Sequence, residues 1–409
     1  MTSTFNENGL ARNVTLLTFL SMGLAYYPTA LIAMAVLTIS WYVWDKYFVL
    51  PSYGRRSSNI VLDMASLENV GRHLDRFSKD MSVKGTWKIR PHTTHRISIR
   101  DGVTILYHVL APNDPKLRNK KVMLFCSGLG VHGFHAFTPL IHFYGPEWTY
   151  IAWDYRGLFG SSVPENPRHL AIHEHSKDAK EILQHMGIGK VDVCVAHSMG
   201  VQVALEFALL YPEVPRSLVM INGTHGKAFH TGGQPFFRLP LMGDIVYHLM
   251  TFWVQRPHYI EMYIKQIRYI ALSLARIYGY LFGNKYLKEI MGSHYMEDFV
   301  QCYLYDANAG TIQAFFRTFL ELDAHSVYHL LSEVKQPTLV ISGLLDVMIP
   351  AYCGSEMAAQ IPTSKFVLDW WSAHLTLLEN PWLVVASTAK FLDQHNIAHE
   401  TRRLSNHDL

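Results

Sequence analysis

Ser198 stands in Ala196-His197-Ser198-Met199-Gly200, directly after the valine-rich run Val191-Asp192-Val193-Cys194-Val195. A strand that ends in small-x-Ser-x-Gly and passes into a helix makes a sharp turn that lifts the serine side chain off the backbone and needs small neighbours. Ala196 and Gly200 supply them, with Ala at a position more often held by Gly. A serine hydroxyl is a poor nucleophile at its own pKa, so its chemistry requires a base to take the proton and an acid to orient that base.

Candidates for both follow in chain order. Pro337-Thr338-Leu339-Val340-Ile341-Ser342-Gly343 reads as a buried parallel strand, and Asp346 lies in the loop after it, before Pro350. Phe366-Val367-Leu368 is a further short strand, followed by His374 and then a helical pattern from Leu377 to Leu392. Taken singly, Asp346 is an ordinary turn residue and His374 an ordinary surface histidine. Together with Ser198, each at the C-terminal end of a predicted strand, they have the chain order of a hydrolytic triad. Asn222, at the end of the strand Leu218-Val219-Met220-Ile221, occupies another place for an acid but cannot ionise.

These motifs resemble the α/β-hydrolase family over about Lys88 to Leu392, with an insert excluded. Cys126-Ser127-Gly128-Leu129-Gly130 follows the strand Val122 to Phe125 where many relatives carry His-Gly. Asp154-Tyr155-Arg156-Gly157-Leu158-Phe159-Gly160-Ser161-Ser162 is similar to the family's Asp-x-Arg-Gly-x-Gly-x-Ser loop with one extra residue. Gly343-x-x-Asp346, and His374 with Glu379-Asn380-Pro381, match the acid and histidine signatures. The resemblance implies an α/β fold: a mostly parallel eight-stranded sheet with helices on both faces, a helical cap and, in this chain, an added N-terminal hydrophobic helix. It implies Ser198 as nucleophile, His374 as base, Asp346 as acid, and the backbone N–H groups of Leu129 and Met199 as oxyanion-hole donors. Relatives that open epoxides or remove halides carry Asp at the elbow, so Ser198 disfavours those reactions.

A chain of 409 residues exceeds one catalytic domain of this kind. The reading divides it into an N-terminal membrane segment (1–50), a linker with an amphipathic segment (51–84), the first part of the core (85–222), a cap insert (223–326), the second part of the core (327–396) and a polar tail (397–409). From Val14 to Trp44 about thirty residues carry no charge, more than the roughly twenty an apolar helix needs to cross a bilayer. The stretch reads as an anchor interrupted by Pro28, single-pass or monotopic, rather than as a cleaved signal peptide. Lys46, Arg55 and Arg56 follow it and only Arg12 precedes it, which places the catalytic part on the cytoplasmic side. Four cysteines without paired spacing suit a reducing compartment. The sequons at Asn13 and Asn222 are read as unglycosylated.

The insert is rich in Phe, Tyr and Trp. From Tyr259 to Phe282 the polar positions Glu261, Lys265, Arg268 and Arg276 form a narrow stripe on an otherwise apolar helix. Such a helix is buried in the cap or lies against lipid, with burial the commoner outcome. Ile267 and Leu274 are expected on the path of an acyl chain towards Ser198.

Other chemistries find little support. The 23 histidines include no His-Glu-x-x-His set, so no metal is expected. His173-x-x-x-x-Asp178 is explained by an exposed polar helix face. No phosphate loop or dinucleotide fingerprint occurs, no cofactor is expected, and a net charge of +3 is far from a nucleic-acid footprint. The sequence therefore points to a membrane-associated serine hydrolase cleaving a carboxylic ester of a hydrophobic, lipid-like substrate. The alternatives are an acyltransferase using the same triad, or a non-catalytic binding protein on a hydrolase frame.

Overall fold

Apolar runs of four to six residues, Val122–Cys126 (β3), Thr149–Trp153 (β4), Val193–His197 (β5), Leu218–Ile221 (β6) and Thr338–Gly343 (β7), are buried along their whole length, as strands covered on both faces must be. In the computed structural model, which describes residues 92–233, 241–282, 297 and 308–397, they form the parallel centre of an eight-stranded sheet. Its order is β1-β2-β4-β3-β5-β6-β7-β8, completed by Thr93–Ser98 (β1), Thr104–Leu110 (β2) and Ser364–Asp369 (β8). Both pairings of β2 are antiparallel; every other pairing is parallel. The edge strand β1, Thr-Thr-His-Arg-Ile-Ser, is polar and largely exposed, which makes a poor template for further pairing.

Helices cover both faces. Ile172–His185 (α2), Met199–Leu210 (α3) and Ala351–Gln360 (α8) contribute Ile182, Leu205 and Met357 to the core on one side. Thr138–Tyr144 (α1) and Pro381–Gln394 (α9) contribute Leu140 and Phe391 on the other. The helical pattern expected from Leu377 to Leu392 is split into one turn, Thr376–Glu379, and α9. Asn380 caps α9 by accepting from the Leu383 amide at 3.3 Å, and Pro381 takes the first position, where its missing N–H costs nothing.

The insert leaves and re-enters the core through a narrow neck, where Gly226 bridges Ser326 and the amides of Lys227 and Val327 donate to the His325 and His225 carbonyls. Beyond it lie Met242–Gln255 (α4), Pro257–Met262 (α5), Ile264–Phe282 (α6) and Ala309–Ala324 (α7). The helix expected from Tyr259 to Phe282 breaks at Tyr263, between α5 and α6. α7 carries a capping box, with Asn308 accepting from Gly310 and Thr311 while Thr311 answers its backbone. Neither α4 nor α5 has a fully buried residue, and α6 buries Ala275 and half-buries Ile264, Ile267 and Tyr278 while Ile270, Leu274, Ile277 and Leu281 are exposed.

The apolar run Val14 to Trp44, the linker and the tail from residue 398 onwards lie outside the described residues. Among the described residues no helix is long and apolar enough to cross a membrane.

Candidate active site

Each side chain of interest stands where a central strand ends. Ser198 follows β5 directly and holds φ 55° and ψ −121°, a conformation costly for a residue with a Cβ and kept only where the surroundings enforce it. The enforcement is visible at Gly200: a Cβ there would lie 1.9 Å from the carbonyl oxygen of Cys126, so only glycine lets α3 start against the end of β3. Ser198 Oγ lies 3.0 Å from His374 Nε2, and His374 Nδ1 donates to Asp346 Oδ2 at 2.8 Å. Three loops, after β5, β7 and β8, thus place one hydrogen-bonded chain.

The acid end is closed. The second oxygen of Asp346 accepts the amides of Met348 and Ile349 at 2.9 and 2.8 Å, and Oδ2 also takes the Asn222 side-chain amide at 2.8 Å. Burial alone would raise its pKa, but His374 and these donors outweigh it and hold the carboxyl below its ordinary value. Burial likewise disfavours charge on His374, and the facing Asp346 reverses the balance, lifting the imidazole above the usual histidine range. Asn222 also donates to the Ala373 carbonyl at 2.8 Å, so the residue that could not be the acid instead orients it and fixes the backbone beside the base. Its side chain is buried.

Two further groups hold the His374 loop. His197 is buried; desolvation, with His374 close by, pulls its pKa down to about 4, so it is neutral and donates Nε2–H to the His374 carbonyl at 2.9 Å. Glu379 accepts the amides of Ala373 and Leu375, the latter at 3.1 Å, and so grips the chain on both sides of His374. Its carboxyl also accepts from the Tyr278 hydroxyl, which reaches in from the cap helix α6.

Gly128 lies against the nucleophile: a Cβ on it would sit 3.3 Å from Ser198 Cβ. Leu129 is therefore beside Ser198, and Met199 opens α3, where no helical carbonyl precedes its amide. The loop that carries Leu129 is tied down by Tyr155, whose hydroxyl donates to the Ser127 carbonyl at 2.8 Å, and by Asp154. Asp154 Oδ1 accepts from His132 at 2.8 Å, His108 at 3.2 Å and the Gly133 amide at 3.3 Å, while Oδ2 accepts from Gly160. Burial opposes its charge, but His108 and His132 hold its pKa down to about 2. His108, His132 and Asp154 are close enough together to hold a metal ion; without one, the two imidazoles and the Gly133 amide lie within hydrogen-bond reach of Asp154 and join β2 to the loops after β3 and β4.

Asp178 corrects the sequence reading. His173 is exposed as expected of a polar face, yet Asp178 is fully buried, gripped by Arg156 through Nε at 2.6 Å and Nη2 at 2.5 Å. Cys126 and Cys194 lie on neighbouring strands with sulfurs 3.6 Å apart, and both are free thiols.

Between the cap and the core lies a cavity of about 440 Å³, within the size that holds a small-molecule ligand. Its walls are almost wholly apolar: Ile260, Ile264 and Ile267 from the cap, Phe315 from α7, and Phe159 from the loop after β4. Gly130, two residues past Gly128, lines it as well, so the cavity adjoins the loop beside Ser198. Ile267 faces this space whereas Leu274 points outward, which separates two residues the sequence had assigned to one path.

A profile described as alpha/beta hydrolase fold matches residues 121–381. A Caulobacter segnis protein provisionally named carbamate hydrolase RutD is 23% identical over 275 residues, 67% of this chain and 92% of that one. A poly(3-hydroxyalkanoate) depolymerase of Ectopseudomonas oleovorans is 26% identical over 276 residues, 66% of this chain and 84% of that one. Among solved structures, a thermophilic esterase of Thermogutta terrifontis superposes with a TM-score of 0.54 at 19% identity, covering 74% of this chain and 98% of the esterase, which speaks to the fold.

Proposed function

Since this chain belongs to the α/β hydrolase fold family, we propose that it is a membrane-associated serine hydrolase that cleaves carboxylic esters of hydrophobic, lipid-like substrates. The reading is carried by one observation, the Ser198–His374–Asp346 hydrogen-bonded chain on a strained elbow. His374 takes the Ser198 proton as the oxygen attacks the acyl carbon, and Asp346 stabilises the imidazolium that forms. The amides of Leu129 and Met199 receive the oxyanion, and His374 returns its proton to the departing alcohol. Water then attacks the acyl-enzyme with His374 again as base. Labelling of the intact chain by a fluorophosphonate serine probe, lost in Ser198→Ala, tests this directly; an unlabelled wild-type protein would point to a binding protein. If an added alcohol collects most of the acyl group at the expense of free acid, the enzyme is an acyltransferase.

The apolar cavity supports an acyl-chain substrate. Burying a methylene is worth about 0.8 kcal/mol, so each added pair of carbons raises kcat/KM by up to about fifteenfold until the cavity is full. Ile267→Ser flattens this series and spares short esters. Leu274→Ser leaves the series unchanged, since its side chain lies outside the cavity. A uniform loss across chain lengths in folded Ile267→Ser would remove the acyl-chain assignment of the cavity.

Membrane attachment is supported by the uncharged run Val14 to Trp44. Retention there is hydrophobic rather than ionic, so the full chain stays with the membrane pellet through high salt and alkaline carbonate. Release by carbonate would mean that the run is packed inside the protein.

A further inference from the structure

The cap helix α6 is apolar both where it meets the cavity and where it meets solvent. Ile264 and Ile267 of α6 line the cavity, and Tyr278 reaches the core at Glu379. Further along α6, Ile270, Leu274, Ile277 and Leu281, spaced by four, three and four residues, continue the stripe of Ile267 and are 57, 60, 56 and 64% exposed. Met262 on α5, Ile245 and Leu249 on α4, and Tyr269 and Tyr280 on α6 are exposed as well. A monomeric protein rarely leaves so many large apolar side chains together in water.

From this we infer that the outward face of α4–α6 seats in the interface of a lipid bilayer, apolar stripe in the acyl boundary, and that the substrate chain enters the cavity from there. The inference rests on the proposed membrane association and adds a second contact, made by the cap itself. Two features select a bilayer as the occupant. Tyr259 and Tyr263 both line the cavity and are exposed, so the cavity wall itself reaches the surface of the cap. The same chain also carries the uncharged run Val14 to Trp44, long enough to tether the protein to a membrane.

The full-length protein, with Cys302 exchanged for Ser, is reconstituted into phosphatidylcholine–phosphatidylserine vesicles and labelled with a nitrobenzoxadiazole dye at Leu274→Cys, Ile277→Cys or, as control, Leu330→Cys. The other three native cysteines are buried, and Leu330 is exposed on the core, away from the cap. Doxyl-labelled lipids quench the dye at 274 and 277 several-fold more than at 330. Equal, weak quenching at all three positions overturns the inference. So does a blue-shifted dye at 274 that lipid does not quench, because a protein surface, the N-terminal run or a second copy, then covers the stripe. Carbonate extraction of the same preparation reports the anchor separately, so an anchored protein with unquenched 274 defeats the docking face alone. As a functional check, Leu274→Asp with Ile277→Asp slows hydrolysis of a vesicle-embedded long-chain ester by tenfold or more and leaves a soluble short ester unaffected; equal rates on the embedded ester also overturn it.

Discussion

Replacing Ser198 with Ala, or His374 with Ala, lowers kcat/KM for an ester substrate by about 10³-fold or more while the circular dichroism and melting curve stay close to wild type. The loss is large because the members act as a unit. Without the serine there is no acyl-enzyme, and without the imidazole nothing takes the proton from an oxygen 3.0 Å away. Asp346→Asn gives a comparable loss by another route. An amide at that place can present its N–H to His374 Nδ1 and favour the wrong tautomer, the more so because Met348, Ile349 and Asn222 already donate to the native carboxylate. The pH profile carries a separate signature. Asp346 lifts the His374 pKa, so wild-type kcat/KM climbs with rising pH through a midpoint above the ordinary histidine value. Removing the negative charge makes the imidazolium less stable, and the midpoint of the residual activity moves to lower pH. If Asp346→Asn turned over like wild type, another carboxylate would have to orient His374.

The largest stability effect is expected at Arg156→Met. The guanidinium is completely buried between Asp178, also completely buried, and Asp101. Without it Asp178 keeps only Arg100, 3.1 Å away and partly exposed, and breaking a buried pair from one side typically costs about 3–5 kcal/mol. The urea midpoint should fall by the corresponding amount at an unchanged m-value. Adding Asp178→Leu should recover much of the loss, since it removes the stranded carboxylate and fills its place with apolar volume. A single mutant with the wild-type midpoint would show that Arg100 suffices to compensate Asp178.

What could be read from the sequence follows the range of the physics involved. Ser198, Asp346 and His374 were legible because each sits just past a strand whose burial on both faces writes an apolar run into the chain, and because their order is fixed by the topology. The groups that tie the site together were not. His108, His132 and Asp154 come from β2, a loop and the end of β4, and no local period connects them. Asp178 has the spacing of an exposed helix position; only the approach of Arg156 from another loop makes it internal. The apolar pattern of α6 announced a helix with little polar surface, yet pattern alone could not say that Ile267 looks into a cavity and Leu274 away from the protein. Glu379 could be matched to a signature, but its second partner, Tyr278, lies about a hundred residues earlier in the cap.

That last contact has a pharmacological consequence. Tyr278 reaches from α6 to a carboxylate that grips the backbone on both sides of His374, so the cap and the base share one joint. A compound that displaces the C-terminal part of α6 around Tyr278, beyond the cavity-lining Ile264 and Ile267, would loosen the His374 loop without touching Ser198. Its inhibition would be noncompetitive towards short esters and would appear as slower acylation by a covalent probe rather than as loss of substrate binding.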